Sequence, residues 1–184
     1  MKYLKIYTDS ISDGPGVRIS VYFAGCLPNK CKAGNCPGCH NKEAQNFNSG
    51  AFYTNMTRIE ILKLLDNQYI AGLTLVGGEP FDQDLEEILE LVRDVKLFLK
   101  NKTVWVYTGY EFKDFMPGGK KFSNTLQEIL KCIDVLVVGP FILEQRDISD
   151  ANRWRGSRNQ RVINVQESLK SDKIVYLEDI PNNE

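Results

Sequence analysis

Histidine is nearly missing from this chain: His40 is the single one among 184 residues. That excludes any site built from several imidazoles and leaves His40 as the sole side chain of its kind for a general base or a metal ligand. Long apolar runs are missing too, since no stretch approaches the ~20 residues that cross a bilayer. The opening M-K-Y-L-K-I-Y-T-D-S is too short and too polar for the apolar part of a secretory signal. Net charge is almost absent: 23 Lys and Arg stand against 24 Asp and Glu, a formal −1. A chain so balanced has no general attraction to nucleic acid or to an anionic membrane. These absences read as a cytoplasmic protein in a reducing compartment. Length removes one more option, because a chain of this size buries roughly 70% of its unfolded surface and needs no metal merely to fold.

Cysteine, by contrast, is concentrated in one place. Four of the five, Cys26, Cys31, Cys36 and Cys39, fall within residues 25–41, G-C-L-P-N-K-C-K-A-G-N-C-P-G-C-H-N. Thiols this dense in a reducing compartment point to a metal or an iron–sulfur cluster rather than to disulfides. The intervals are four, four and two intervening residues, and three chemistries compete for them. A structural zinc site wants two close pairs of ligands separated by a longer excursion, and only Cys36 and Cys39 make such a pair. Cys31, Cys36 and Cys39 match the spacing of plant-type ferredoxins, which need a distant fourth cysteine. Cys132 could supply it, but its surroundings read as those of a small buried hydrophobe. The third reading is a four-iron cluster held by three cysteines, whose remaining iron stays open to a substrate.

The rest of the chain alternates strands with helices. Val17–Ala24 (V-R-I-S-V-Y-F-A) is rich in β-branched and aromatic residues and stops at Gly25. The long polar stretch that follows, to about residue 55, has the length of a functional loop. Thr57 and Glu60 fit a capping box opening a helix, with Ile59, Leu62 and Leu65 on its apolar face. Residues 73–76 form a short apolar strand stopped by Gly77 and Gly78. Leu85, Ile88, Leu89, Val92 and Val95 mark an amphipathic helix. Residues 103–107 and 133–138 read as strands, the latter buried on both faces, and residues 126–130 as helix. Residues 162–165 and 174–177 are weaker strand candidates. The pattern predicts an α/β fold, a single domain over residues 1–184 with a mainly parallel, curved sheet. A complete eight-stranded barrel takes about 250 residues, so an incomplete β/α barrel is expected. Ligands gather at the carboxyl ends of parallel strands, which places the cysteines and Gly77–Gly78 on one rim.

Several segments together resemble radical S-adenosylmethionine enzymes. C-P-G-C-H-N carries their close cysteine pair followed by a ring and Asn, and F-A-G-C places a first ligand at the end of the first strand. G-G-E-P at residues 77–80 is similar to their methionine-binding segment. D-G-P-G-V-R at residues 13–18 resembles the glycyl-radical activating enzymes. W-V-Y-T-G-Y, D-V-L-V-V-G and G-S-R-N-Q-R resemble the activating proteins of anaerobic ribonucleotide reductase in particular. The likeness runs from about residue 10 to residue 168. It departs in the first cysteine interval, which is expanded.

The resemblance implies a [4Fe-4S] cluster on Cys26, Cys36 and Cys39, with Cys31 on an inserted turn or standing in for Cys26. It implies S-adenosyl-L-methionine contacts at Gly38, Cys39, His40, Gly77, Gly78, Glu79, Pro80 and Thr108, with Glu79 adding an acceptor for the ammonium group. No acid–base side chain is called for beyond the cluster ligands. The implied partners are the large subunit of anaerobic ribonucleotide reductase and a one-electron donor such as reduced flavodoxin. Activation of another glycyl-radical enzyme, of pyruvate formate-lyase type, is the neighbouring alternative. Arg153, Arg155, Arg158 and Arg161 form a basic cluster around Trp154, suited to carboxylate binding or to docking. Anaerobic iron quantification separates these chemistries. Cys36→Ala and Cys39→Ala are expected to lose the cluster and Cys31→Ala to keep it; full iron in either of the first two would exclude that residue as a ligand.

Overall fold

The computed structural model describes residues 1–27, 36, 38, 39, 41–149, 153–171 and 173–177. Cys31 and His40 lie outside them. In chain order the elements are β1 (Lys2–Ser10), β2 (Val17–Ala24), β3 (Ala51–Phe52), α1 (Asn55–Leu65), β4 (Ile70–Gly77), α2 (Leu85–Phe98), β5 (Thr103–Thr108), α3 (Asn124–Cys132), β6 (Val135–Val138), β7 (Arg161–Asn164) and α4 (Val165–Ser171). Among the described residues the strands make one seven-stranded sheet in the order β3-β1-β2-β4-β5-β6-β7. The four central strands, β2, β4, β5 and β6, run parallel. The margins are antiparallel: β1 on β2, β3 on β1, and β7 on β6. β3 and β7 are the outermost strands and do not pair, so the sheet is mixed and open.

Residue alternation divides the sheet into two unlike faces. Ile19, Val21 and Phe23 of β2, Leu73 and Leu75 of β4, and Val104 and Val106 of β5 pack with Ile61, Ile88 and Ile129 of α1, α2 and α3. Burying each such side chain stabilises the fold by roughly 1.5–3 kcal/mol. The helices are held by ordinary caps. Asp84 accepts from the amides of Glu86 and Glu87 at the start of α2, and Ser123 from Leu126 at the start of α3. At α1 the cap is Thr54 rather than Thr57: Thr54 is extended, and Thr57 occupies the third helical position and closes the box with its own hydroxyl. A β-branched hydroxyl serves in either place, so the helix begins earlier than the Thr57–Glu60 pattern suggests. The weak candidate at residues 174–177 is reduced to a single bridge between Tyr176 and Ile163. Among the described residues no helix is long and apolar enough to cross a membrane.

The opposite face is polar at its centre. Arg18 is 0% exposed, and its guanidinium reaches two neighbouring strands. Nε donates to Thr74 Oγ1 at 2.7 Å, the terminal nitrogens to Thr103 Oγ1 at 3.0 Å and to the Leu73 and Thr103 carbonyls at 2.8 and 3.1 Å. It also lies 5.5 Å from the centre of the Trp105 ring. Burial lowers the Arg18 pKa to about 10. Burial also raises the phenols of Tyr22, Tyr53, Tyr107 and Tyr110 above their ordinary value, with Asp13 adding to Tyr22 and Asp82 to Tyr110.

These shifts act in opposite directions on stability. Above about pH 10 the unfolded tyrosines release protons that the folded ones keep, so stability falls as pH rises. Arg18 works the other way above the same pH, because the folded state gives up its proton first. Four phenols outweigh one guanidinium. Urea denaturation is expected to show stability declining from about pH 9.5 upward. Among the described residues the Tyr53 hydroxyl has no hydrogen-bond partner, so Tyr53→Phe should flatten that decline while leaving neutral-pH stability within about 1 kcal/mol. An unchanged slope would remove Tyr53 from the account.

Candidate functional site

The carboxyl ends of the four parallel strands open into one cavity of about 420 Å³. Cys26 follows β2; Gly77, Gly78 and Glu79 close β4; Thr108 and Gly109 end β5; Gly139 follows β6; all of them line it, together with Cys36 and Cys39. The rim anticipated from the motifs is therefore one physical place.

Backbone geometry builds the cysteine side. Gly25 turns out of β2 at φ 114°, and an added Cβ there would lie 2.1 Å from the Phe47 ring. Its amide donates to Ala44 O at 2.8 Å, and its carbonyl accepts from Glu79 N at 2.8 Å and Gln83 Nε2 at 3.1 Å. Cys26 is followed by Leu27, whose amide donates to Asp82 Oδ2 at 2.9 Å. The Asp82 side chain is fully buried and also takes the Tyr110 hydroxyl at 2.7 Å and Lys121 Nζ at 2.9 Å. Cys36 and Cys39 are joined by a turn in which Cys39 N donates to Cys36 O at 3.1 Å, with Gly38 at φ 71°. Cys26 and Cys39 are half-buried and outside any disulfide, and the Cys36 sulfur is engaged in a disulfide. Among the described residues no three His, Cys, Asp or Glu side chains converge on a single-ion site. The donor set suits a larger sulfur-ligated group: three cysteines share one cavity wall, with Cys36 requiring reduction before its thiolate can bind.

The β4 side is tied just as firmly. Glu79 is 1% exposed. Its Oε1 accepts from Phe81 N at 3.1 Å and Thr108 Oγ1 at 2.8 Å, and Oε2 accepts from Gly109 N at 2.8 Å. Three protein donors face this carboxylate. Glu79 thus joins the ends of β4 and β5, a role its sequence context conceals. Pro80 starts a one-turn helix, Pro80–Asp82, and with Gly38 shapes the turns beside the cavity without lining it. Gly77 needs its φ of 105°. At Gly78 a Cβ would sit 2.3 Å from Gly25 O and 2.6 Å from Ala44 O. Its smallness keeps Gly25, next to Cys26, in place, rather than only clearing the way for a ligand.

Sequence motifs left other cavity residues unmarked. Tyr22 and Tyr107 rise from the polar face of the sheet, and Phe141 and Trp154 come from the segment between β6 and β7. Alternation along β2 and β5 would have pointed to both tyrosines. The basic cluster divides: Arg155 lines the cavity, while Arg153, Arg158 and Arg161 are exposed. G-S-R-N-Q forms a buckle. Gln160 accepts from the amides of Gly156 and Ser157 and donates to Gly139 O at 2.9 Å, and Asn159 donates to Pro140 O at 2.8 Å. Cys132 is half-buried against the helical core and takes no part; burial raises its thiol pKa.

Residues 12–163 match the family model described as a 4Fe-4S single cluster domain, and the chain belongs to that class. It is 36% identical over 163 residues to the anaerobic ribonucleoside-triphosphate reductase-activating protein of Enterobacteria phage T4, spanning 88% of this chain and 93% of that one. The protein of the same name from Escherichia coli is 34% identical over 165 residues, 88% of this chain and 97% of its own. That of Vibrio cholerae is 34% identical over 163 residues, covering 87% and 96%. The chain is a member of the anaerobic ribonucleoside-triphosphate reductase-activating protein family. No solved structure matches it.

The Gly78 contact generates a test. Gly78→Ala is expected to lose iron along with ligand binding, because the new methyl displaces the Gly25 carbonyl next to Cys26. Iron content of the reconstituted variant checks this. A full iron complement with only ligand binding impaired would show that Gly78 serves the ligand alone.

Proposed function

We propose that this protein activates the anaerobic ribonucleotide reductase as a radical S-adenosylmethionine enzyme, the whole of residues 1–184 acting as one incomplete β/α barrel domain. The observation that carries the reading is the meeting of Cys26, Cys36 and Cys39 with Gly77, Gly78 and Glu79 in one cavity, in a chain of this family. When bound, a [4Fe-4S] cluster and S-adenosyl-L-methionine would supply one-electron cleavage of the sulfonium and a 5′-deoxyadenosyl radical that takes a hydrogen from a glycine Cα of the large reductase subunit.

The chain's own residues hold and orient. Cys26, Cys36 and Cys39 are the cluster ligands in this reading, and Cys31 remains a substitute for Cys26. The backbone of Gly77, Gly78 and Glu79 would hold the methionine end of the cofactor. Glu79 fixes the distance between the β4 and β5 ends, so that Thr108 and Gly109 stand opposite the glycine turn. Gly38, Cys39 and His40 are assigned to the adenine side. The rings of Tyr22, Tyr107, Phe141 and Trp154 in the lining would limit water in the cavity, which protects reactive chemistry and preserves the electrostatics of the site. Electrons come from a soluble one-electron carrier of the reduced flavodoxin kind.

Prior thiol reduction should raise iron loading, since it frees Cys36. The reduced, iron-loaded protein, mixed anaerobically with S-adenosylmethionine, a reductant and the large subunit, is expected to produce a glycine-centred paramagnetic signal on that subunit. Cofactor cleavage without such a signal would reject the reductase as target. Zinc without iron would reject the chemistry altogether.

A further inference from the structure

Charge in this chain is balanced overall but not locally. Residues 146–161 hold five arginines against two aspartates, while the rest of the chain sets 18 Lys and Arg against 22 Asp and Glu. Arginines elsewhere are engaged: Arg58 meets Glu90 and Asp94, Arg93 meets Glu128, and Arg18 is buried. Arg146, Arg153, Arg158 and Arg161 are exposed, and among the described residues none reaches a carboxylate at ion-pair distance. Like charges gathered this way repel one another, and an oppositely charged surface relieves them.

The backbone carrying them is well fastened. Arg146 bridges Ser157 across two antiparallel segments, and Arg158 N donates to Gln145 O at 2.9 Å. The Arg161 guanidinium donates to the Arg158 and Gln160 carbonyls at 2.8 and 3.0 Å. Gln160 and Asn159 tie the segment to Gly139 and Pro140 after β6. Trp154 holds φ 63°, a strained position for so bulky a residue, and its ring meets that of Trp105 edge to face at 5.1 Å. The segment also touches the cysteines. The Leu143 side chain lies against Gly38, where an added Cβ would come within 2.9 Å of it, so it abuts the turn joining Cys36 and Cys39. Leu143 is nonetheless 44% exposed. None of the four exposed arginines lines the cavity.

Resting on the function proposed above, we propose that Arg146, Arg153, Arg158 and Arg161, with Leu143, form the docking surface for an acidic one-electron carrier protein. A chain to be acted on must enter the cavity, whereas a carrier need only come close to the group held by Cys36 and Cys39. Positive charge placed outside the cavity, beside that cysteine turn, suits the carrier. Electron-transfer encounters are small, below about 1,200 Å², and opposite charges at the rim speed them. Four exposed guanidiniums and one apolar contact answer to that description. In the step served, the carrier loses one electron and the cysteine-held group gains it; no bond forms or breaks.

The test follows association of the full-length, iron-loaded protein with reduced flavodoxin, the acidic carrier used as probe, at low and at high salt. The wild-type rate constant is expected to fall about tenfold or more as salt rises. Arg146→Glu with Arg158→Glu should slow low-salt association about tenfold or more and remove most of the salt dependence, while Lys at both positions keeps both. Leu143→Ala should speed dissociation severalfold and leave association within about twofold. Bleaching by dithionite to the wild-type extent shows that a variant is intact; should the double variant fail this, Arg158→Glu alone carries the test. Unchanged low-salt association in the charge-reversed protein overturns the proposal. So does weakened binding to the large reductase subunit with flavodoxin unaffected, which assigns the arginines to that interface instead. Unchanged dissociation in Leu143→Ala removes Leu143 from the surface. Dithionite keeps the two readings apart: no S-adenosylmethionine cleavage with it in the wild type rejects the function proposed above, whereas cleavage with it and flavodoxin association blind to charge rejects this surface alone.

Discussion

The Gly25 carbonyl is the contact on which the cavity rim depends. β2 and β4 are parallel neighbours, so their ends finish side by side, and Gly25 O takes both the Glu79 amide and the Gln83 side chain. A Cβ at Gly78 has no place in this junction. Gly25 with Cys26, at the start of the cysteine segment, and the glycine turn are consequently one unit, and neither shifts without the other. Glu79 extends the unit to β5, and Gln160 fastens the β7 segment to the end of β6. The Gly139 amide donates to Tyr110 O at 2.9 Å, so hydrogen bonds couple all four parallel strand ends. Cavities that must hold a reactive group in fixed geometry need this kind of support, because errors near 1 Å are expensive in rate.

The polar floor beneath the rim follows from the same architecture. In an ordinary α/β sheet helices cover both faces, and both are apolar. Here the helices take one face, and the other carries Arg18, Ser20, Tyr22, Thr74 and Tyr107 toward its centre. A buried guanidinium is tolerable only where desolvation is offset by good bonds. Arg18 finds its partners on β4 and β5, so it acts as a crosslink beneath the cavity. Its lowered pKa records the burial cost that remains. The apolar part of this face, Trp105 with Val135, Val137 and Val162, is where Trp154 rests.

The parallel core was legible because its signals are local. β-Branched runs at Val17–Ala24 and residues 73–76, each stopped by glycine, are visible without knowing their partners. So is the placement of Cys26 and Gly77 at strand ends. β1 and β3 were not legible: β3 has two residues, and pairing with Lys2 and Tyr3 of β1 is what makes them a strand. Strand character that depends on a distant partner leaves little trace in a local window. Glu79 read as a plain acceptor because its donors at Thr108 and Gly109 lie some thirty positions along the chain. Trp154 read as part of a basic cluster. Its backbone strain is imposed by the Gln160 buckle, and strain of that kind has no residue-type signature.

The matched span of the family model bears on how the fold is divided. It runs over residues 12–163, from the Asp13 turn into β7, and leaves out β1 and α4. What it contains is the parallel core with every cavity element named above. What it omits protects the margins. β1 pairs along β2 and covers the free edge that the core would otherwise expose, an edge prone to unwanted strand pairing. The Met1 amino group also meets Glu87 of α2 at 2.8 Å, fastening that strand to the helical layer. α4 follows β7 and packs at the other side, with Val165 donating to the Asp134 carbonyl. Chemistry-bearing contacts therefore reside in the parallel core, and the antiparallel additions serve its stability. Within the core the β2 and β4 ends present Cys26 and the glycine turn, while Gly139, Phe141, Trp154, Arg155 and Gln160 complete the cavity lining.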